Sequence, residues 1–161
     1  MIDCLLINPG DSEAIYQQLS TEYSSIEPPT WCGLLANALR SNSKTVEIFD
    51  VPAQSKLMLH AAIDDLRPRL IVICAYGSQP SASTQSMDGA SKICKEIKAH
   101  NPDQLVLFVG GHVSALPEKT MLEEATDYAA KGEGLNTILG LLAIGAALVA
   151  RRRRLKQGPR G

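Results

Sequence analysis

The chain has 161 residues, 45% hydrophobic, 20% charged and 4% aromatic, with a formal net charge of −1. That is the profile of one globular domain, and it excludes a disordered, collagen-like or disulfide-stapled chain. The charge is unevenly placed: residues 151–161 hold six of the sixteen basic residues and no acid, leaving residues 1–150 with ten basic against seventeen acidic, a net −7. An acidic body argues against the basic, phosphate-neutralising face on which nucleic-acid binding rests.

In chain order, Met1-Ile2-Asp3-Cys4 has no basic n-region and the apolar run behind it is short. No secretory signal is expected, and the expected compartment is the cytoplasm. Asp3–Ile7 reads as a buried strand, followed by the polar turn Asn8-Pro9-Gly10-Asp11-Ser12. Pro28-Pro29-Thr30 then breaks the chain and sets Thr30 as the cap of a helix carrying Trp31, Leu34, Leu35, Ala38 and Leu39 on one face. A second strand is predicted at Thr45–Asp50, and a helix with Leu59, Ala62, Ile63 and Leu66 inside and Ser55 as cap. Leu70–Tyr76 is the third strand. A helix with Ala90, Ile93, Cys94 and Ile97 inside stops at His100-Asn101-Pro102, because proline cannot donate into a helix and disfavours helical geometry before it. Leu105–Gly110 is the fourth strand, Pro117 suits the first turn of a short helix with Met121 and Leu122, and Tyr128–Lys131 is a short fifth strand.

Runs apolar on both faces and separated by 37, 19, 28 and 17 residues cannot be hairpins and have room for helical crossovers. The expectation is a parallel α/β sheet with helices on both faces, whose ligand sites lie in the loops at the carboxyl ends of the strands. Cysteines 4, 32, 74 and 94 are 28, 42 and 20 residues apart, with no C-x-x-C pair to hold zinc or iron–sulfur. They read as reduced core residues.

The strand-end loops carry the candidate chemistry. After strand one, Gly10 permits close backbone approach to a ligand. After strand three, Tyr76-Gly77-Ser78-Gln79-Pro80-Ser81-Ala82-Ser83-Thr84-Gln85-Ser86 is eleven uncharged residues rich in hydroxyls and amides, longer than a simple connection needs and suited to a large polar cofactor. After strand four, Gly110-Gly111 leaves bare backbone beside His112, a lone histidine without clustered acidic or thiol partners. Gly132-Glu133-Gly134 follows strand five. There is no phosphate-binding G-x-x-x-x-G-K-S/T, no G-x-G-x-x-G after strand one and no G-x-S-x-G elbow. A phospho-acceptor receiver is excluded as well, since Ala75-Tyr76 and Gly110-Gly111 stand where its aspartate and lysine would.

The order Asn8-Pro9-Gly10, Pro28-Pro29 with Leu34-Leu35 and Leu39-Arg40, Tyr76-Gly77 with its Ser/Thr run, Gly110-Gly111-His112-Val113-Ser114-Ala115-Leu116-Pro117-Glu118, and Gly132-Glu133-Gly134 resembles the N-terminal cobalamin (vitamin B12)-binding domain of cobalamin-dependent radical S-adenosylmethionine proteins. The likeness covers roughly residues 1–142. It implies a flavodoxin-like (Rossmann-like), doubly wound, five-stranded parallel sheet with helices on both faces, holding a cobalt corrinoid across the strand ends. The implied cofactor-binding residues are Asn8, Pro9, Gly10, Tyr76, Gly77, Ser78, Gln79, Ser81, Ser83, Thr84, Gly110, Gly111, His112, Ser114, Leu116, Gly132, Glu133 and Gly134. The Asp-x-His-x-x-Gly motif of other cobalamin proteins is missing, since Asn8 to Glu13 contains no histidine, so the resemblance implies a base-off cofactor. The family's iron–sulfur cysteine cluster is also missing, which makes the expected protein a fragment or stand-alone carrier, not catalytic by itself, serving a separate radical enzyme.

From Gly134 to Ala150 no residue is charged, and four arginines follow. The expected structure is a last helix at Asn136–Ala150 and a disordered basic tail over 151–161; a membrane anchor is the rival, since about 17 apolar residues is the lower limit for a span, and a tail foreign to the domain is a third reading. Other functional classes are a small α/β enzyme of hydrolase or transferase type using His112, and a membrane-tethered interaction module.

Overall fold

Strands apolar on both faces need cover on both, and the structure, a computed structural model describing residues 1–10, 28–77 and 80–145, supplies it. The strands are β1 (Cys4–Asn8), β2 (Val46–Asp50), β3 (Leu70–Cys74), β4 (Val106–Val109) and β5 (Tyr128–Ala129). They form one parallel sheet in the order β2-β1-β3-β4-β5, with Cys4 opposite both Val46 and Leu70 and Ile71 opposite Val106. This is the doubly wound flavodoxin-like order, in which the winding reverses between β1 and β3 and leaves a crevice there at the carboxyl ends.

The helices are α1 (Thr30–Ser41), α2 (Val51–Gln54), α3 (Leu59–Leu66), α4 (Pro80–His100), α5 (Gly111–Ala115), α6 (Pro117–Glu123) and α7, residues 135–145. Strand alternation divides the core cleanly. Cys4, Leu6, Leu70, Val72, Cys74, Leu107 and Val109 face Cys32, Leu35, Ala36 and Leu39 of α1 and Ile138 and Leu142 of α7. Leu5, Ile7, Ile71, Ile73, Val106 and Phe108 face Leu59 and Ile63 of α3 and Ala90, Ile93, Cys94 and Ile97 of α4.

The opposite ends of the strands are pinned by ions. Asp3 accepts from the Thr45 N–H and hydroxyl at 2.9 Å and from Arg69 at 2.8 Å, and Arg69 also donates to the Leu142 carbonyl of α7 at 2.8 Å. Lys98 bonds Asp127 Oδ2 at 2.6 Å and the Gln104 carbonyl at 2.7 Å, which fastens α4 to the β4–β5 edge.

Several local expectations are corrected. α4 starts at Pro80, so only residues 75–79 connect it to β3, and most of the supposed eleven-residue loop is helix. Proline is preorganised for a first helical turn, and the residues after it contain no breaker. Thr30 caps nothing: it is the first residue of α1, and its hydroxyl donates to the Pro28 carbonyl at 3.3 Å. Ser55 takes φ 63° ahead of the 3₁₀ turn Lys56–Met58 and makes no capping bond. β3 ends at Cys74 instead of Tyr76, and β5 is two residues long because Gly132, at φ 93°, turns the chain away after Ala130 N–H has bonded the Phe108 carbonyl at 2.9 Å. α7 is described to residue 145, and the basic tail lies outside the described residues. Among the described residues no helix is long and apolar enough to cross a membrane.

Candidate functional site

The carboxyl ends of the five strands bring most of the predicted residues to one edge of the molecule. At the end of β1, the Asn8 side-chain amide donates to Asp50 Oδ1 of β2 at 2.8 Å. Pro9 is buried, and Gly10 stands at φ 65°. A Cβ at Gly10 would meet Pro52, and one at Gly89 of α4 would run into the Gly10 carbonyl. The closeness that sequence assigned to a ligand at Gly10 is therefore taken by the protein's own Pro52 and α4. Asp11 and Ser12 of that turn lie outside the described residues.

Gly110 is likewise a packing glycine and not a bare surface. It is buried, and a Cβ there would collide with the Ala75 carbonyl, so its absence of a side chain lets the ends of β3 and β4 close together. The Ala75 N–H donating to the Val109 carbonyl at 2.8 Å holds that closure. Gly134, buried at φ 82°, sits against the Val109 side chain. The open glycine is Gly132: exposed, at φ 93°, with nothing within 4 Å of where a Cβ would stand.

Three side-chain ties frame this edge. Tyr76, leaving β3, stacks on Trp31 of α1 with ring centroids 4.6 Å apart and planes inclined by 19°, and its hydroxyl donates to the Glu133 carbonyl at 3.3 Å. Burial, with smaller contributions from Cys74, Glu133 and Cys32, pushes the Tyr76 phenol up to about 12, which keeps it a neutral donor. On the other side, Thr84 Oγ1 of α4 lies 3.1 Å from His112 Nδ1 of α5. The Ser114 hydroxyl accepts from the Gly132 N–H at 2.8 Å, joining the loops after β4 and β5.

Gly77 and Gly111 lie at the same edge, while Leu116 is exposed beyond the end of α5. Ser81 and Ser83 fall in the first turn of α4, and Ser78 and Gln79 lie outside the described residues. Two residues of the edge were missed. Spacing puts Trp31 on the same helix face as Leu35 and Leu39, yet it is 47% exposed, and its being the single tryptophan, two residues after a proline pair, was the available signal. Asp50 ends a strand without a motif to mark it.

All four cysteines are free and buried, as expected. Burial pushes Cys94 up to about 12, and a hydrogen bond with the Cys32 thiol together with burial holds Cys74 far above the ordinary thiol range. Among the described residues no group of three His, Cys, Asp or Glu side chains is placed to hold a metal ion.

A family profile described as B12 binding domain matches residues 18–142. No curated protein matches the chain. Among solved structures, the fold is similar to that of the radical S-adenosylmethionine methyltransferase TsrM from Kitasatospora setae, determined with tryptophan substrate and a SAM analog bound. The TM-score is 0.61 with 19% identity, covering 89% of this chain and 25% of that one. That likeness is one of fold, and the chain spans about a quarter of the methyltransferase's length.

Proposed function

The chain belongs to the B12 binding domain family, and we propose that it holds cobalamin base-off across the carboxyl ends of its strands, as a carrier domain working with a radical S-adenosylmethionine partner. The observation that carries this reading is the family match over residues 18–142, which takes in the loops after β3, β4 and β5 gathered at that edge.

The residues fit the cofactor chemically. A corrinoid is a broad disc edged with methyl groups and amide arms, so it calls for an open edge with hydroxyls and backbone groups. Gly132 leaves open space where a side chain would stand, and Tyr76, Thr84 and Ser114 bring hydroxyls to the edge. When bound, cobalamin supplies a cobalt that accepts and releases a methyl group. The base-off state is supported by the loop after β1, which has no histidine between Asn8 and Glu13 and whose Asn8 amide is committed to Asp50.

In this reading residues 1–142 are the cobalamin-binding unit, 151–161 a basic appendage, and the radical chemistry belongs to a separate domain or protein. Gel filtration of the purified chain after anaerobic incubation with hydroxocobalamin tests it. Corrinoid co-eluting with protein and showing a base-off visible spectrum is expected. Corrinoid that separates from folded protein contradicts the binding, and a base-on spectrum contradicts the proposed ligation.

A further inference from the structure

We infer that the face of the molecule covered by α1 and α7, together with the basic run that follows α7, docks on the surface of an anionic lipid bilayer. The inference does not depend on the cofactor. The two helices cover the same side of the sheet, and their composition sets them apart. α1 carries one charge, Arg40, and residues 135–145 of α7 carry none, so neither helix brings an acid to this face. On the other side of the sheet, α3 and α4 bring Asp64, Asp65, Asp88 and Glu96. The acid-free face is also apolar where it meets water: Leu34 is 58% exposed and Ile144 61%, and Trp31 lies half-exposed in the first turn of α1.

The course of α7 decides between occupants. It leaves the glycine turn at the carboxyl edge and reaches the closed end of the sheet, where Arg69 bonds the Leu142 carbonyl at 2.8 Å and lies against Gly145. Five further uncharged residues, Ala146 to Ala150, lead in the sequence to Arg151-Arg152-Arg153-Arg154, with Lys156 and Arg160 beyond. Nucleic acid would pair with the arginines but gives an exposed Leu34 and Ile144 nothing to enter. A bilayer interface takes both, because apolar side chains sink into the boundary between headgroups and acyl chains while basic side chains pair with anionic headgroups. Interfacial binding sums these two contributions, so each is needed at full strength. The sheet stands between this face and the acids of α3 and α4, a separation greater than the about 8 Å over which charges act at physiological salt. Docked on this face, the molecule keeps its carboxyl edge clear of the lipid.

Sedimentation of the full chain with phosphatidylcholine vesicles, with and without phosphatidylglycerol, tests this, and the emission of Trp31, the single tryptophan, reports on the face itself. The chain is expected to sediment with vesicles containing phosphatidylglycerol, to stay in solution with phosphatidylcholine alone and to be released by high salt. Trp31 emission is expected to shift to the blue on binding. Replacing Arg151, Arg152, Arg153 and Arg154 together by Gln is expected to weaken binding roughly 100-fold. Leu34→Gln with Ile144→Gln, both at exposed positions, leaves the arginines in place and is expected to weaken it roughly 10-fold. No sedimentation with either vesicle overturns the inference. So does sedimentation that the Leu34 and Ile144 substitutions leave unchanged with Trp31 emission unmoved, since the arginines then act alone. Tighter binding of a single-stranded oligonucleotide than of the vesicles assigns the basic run to nucleic acid, and a dimer in solution that the Leu34 and Ile144 substitutions disperse assigns the face to a second copy; either result overturns it.

Discussion

Tyr76 illustrates how much one side chain carries at this edge: a stacking partner, a hydrogen-bond donor and a group whose proton is held tightly. Its phenol is pushed up to about 12 from an ordinary 10.0, so between those values the unfolded chain has released a proton that the folded chain retains. Stability is therefore fully present below about pH 10 and falls as pH rises toward 12. Cys94, pushed from 9.0 to about 12 by burial, adds slope from about pH 9. Urea unfolding of wild type and Tyr76→Phe across this range should show a shallower alkaline decline in the variant above pH 10, with the decline beginning near pH 9 still present. Gly110 makes a second residue-scale prediction. Gly110→Ala drives a methyl into the Ala75 carbonyl, so it should cost about 1–3 kcal/mol by denaturant unfolding. Sequence put both residues at the strand ends, where they lie, and the close approach signalled by Gly110 is made by the Ala75 backbone. A glycine at a strand end signals a close approach, and only coordinates tell whether ligand or neighbouring backbone makes it.

Among the elements, α1 and α4 each carry an interior glycine, and the two should respond oppositely to the same change. Alanine exceeds glycine in helix propensity by about 1 kcal/mol. Gly33 of α1 has nothing within 4 Å of a built Cβ, so Gly33→Ala should stabilise the fold by up to about that amount. Gly89 of α4 packs on the Gly10 carbonyl, so Gly89→Ala should destabilise despite the propensity gain. Thermal or urea melts of the pair decide it, and two changes of the same sign contradict the packing described. The buried faces of these helices were legible, because Leu35 and Leu39, Ile63, and Ile93 and Ile97 recur at helical spacing and do meet the sheet. Their starts were less so. The run from Pro80 to Ser86 is rich in residues that suit loops, and the helix claims it because its later turns are anchored by Ala90, Ile93 and Cys94 and proline fits the first turn. Trp31 was misread for the complementary reason: helical spacing assigns a face, but a first-turn residue can project past the sheet's end, as its stack on Tyr76 shows.

Taken whole, the molecule has one end closed by ion pairs and another edged by hydroxyls and open backbone. At the closed end, burial raises the Asp3 carboxyl, but bonds from Thr45 and Arg69 outweigh it and leave the net position below the ordinary 3.8. Its contribution is thus fully present above about pH 3.8 and is lost as pH falls through the lowered value. Acid unfolding of Asp3→Asn should lack that part of the slope. The parallel sheet was readable from doubly apolar strands and crossover-length spacings, and the family resemblance implied a cofactor at the strand ends. The order β2-β1-β3-β4-β5 was implied only through that resemblance, since spacing alone does not say on which side a strand is added.

The central claim is that cobalamin sits at the carboxyl edge of this sheet. Amide chemical-shift mapping of the isotope-labelled chain during a hydroxocobalamin titration tests it most directly. The account predicts the largest shifts at Tyr76, Gly77, Gly111, His112, Gly132 and Glu133, with Asp3, Thr45 and Arg69 unmoved. Shifts centred on Asp3, Thr45 and Arg69, or no saturable shifts at all, would contradict it.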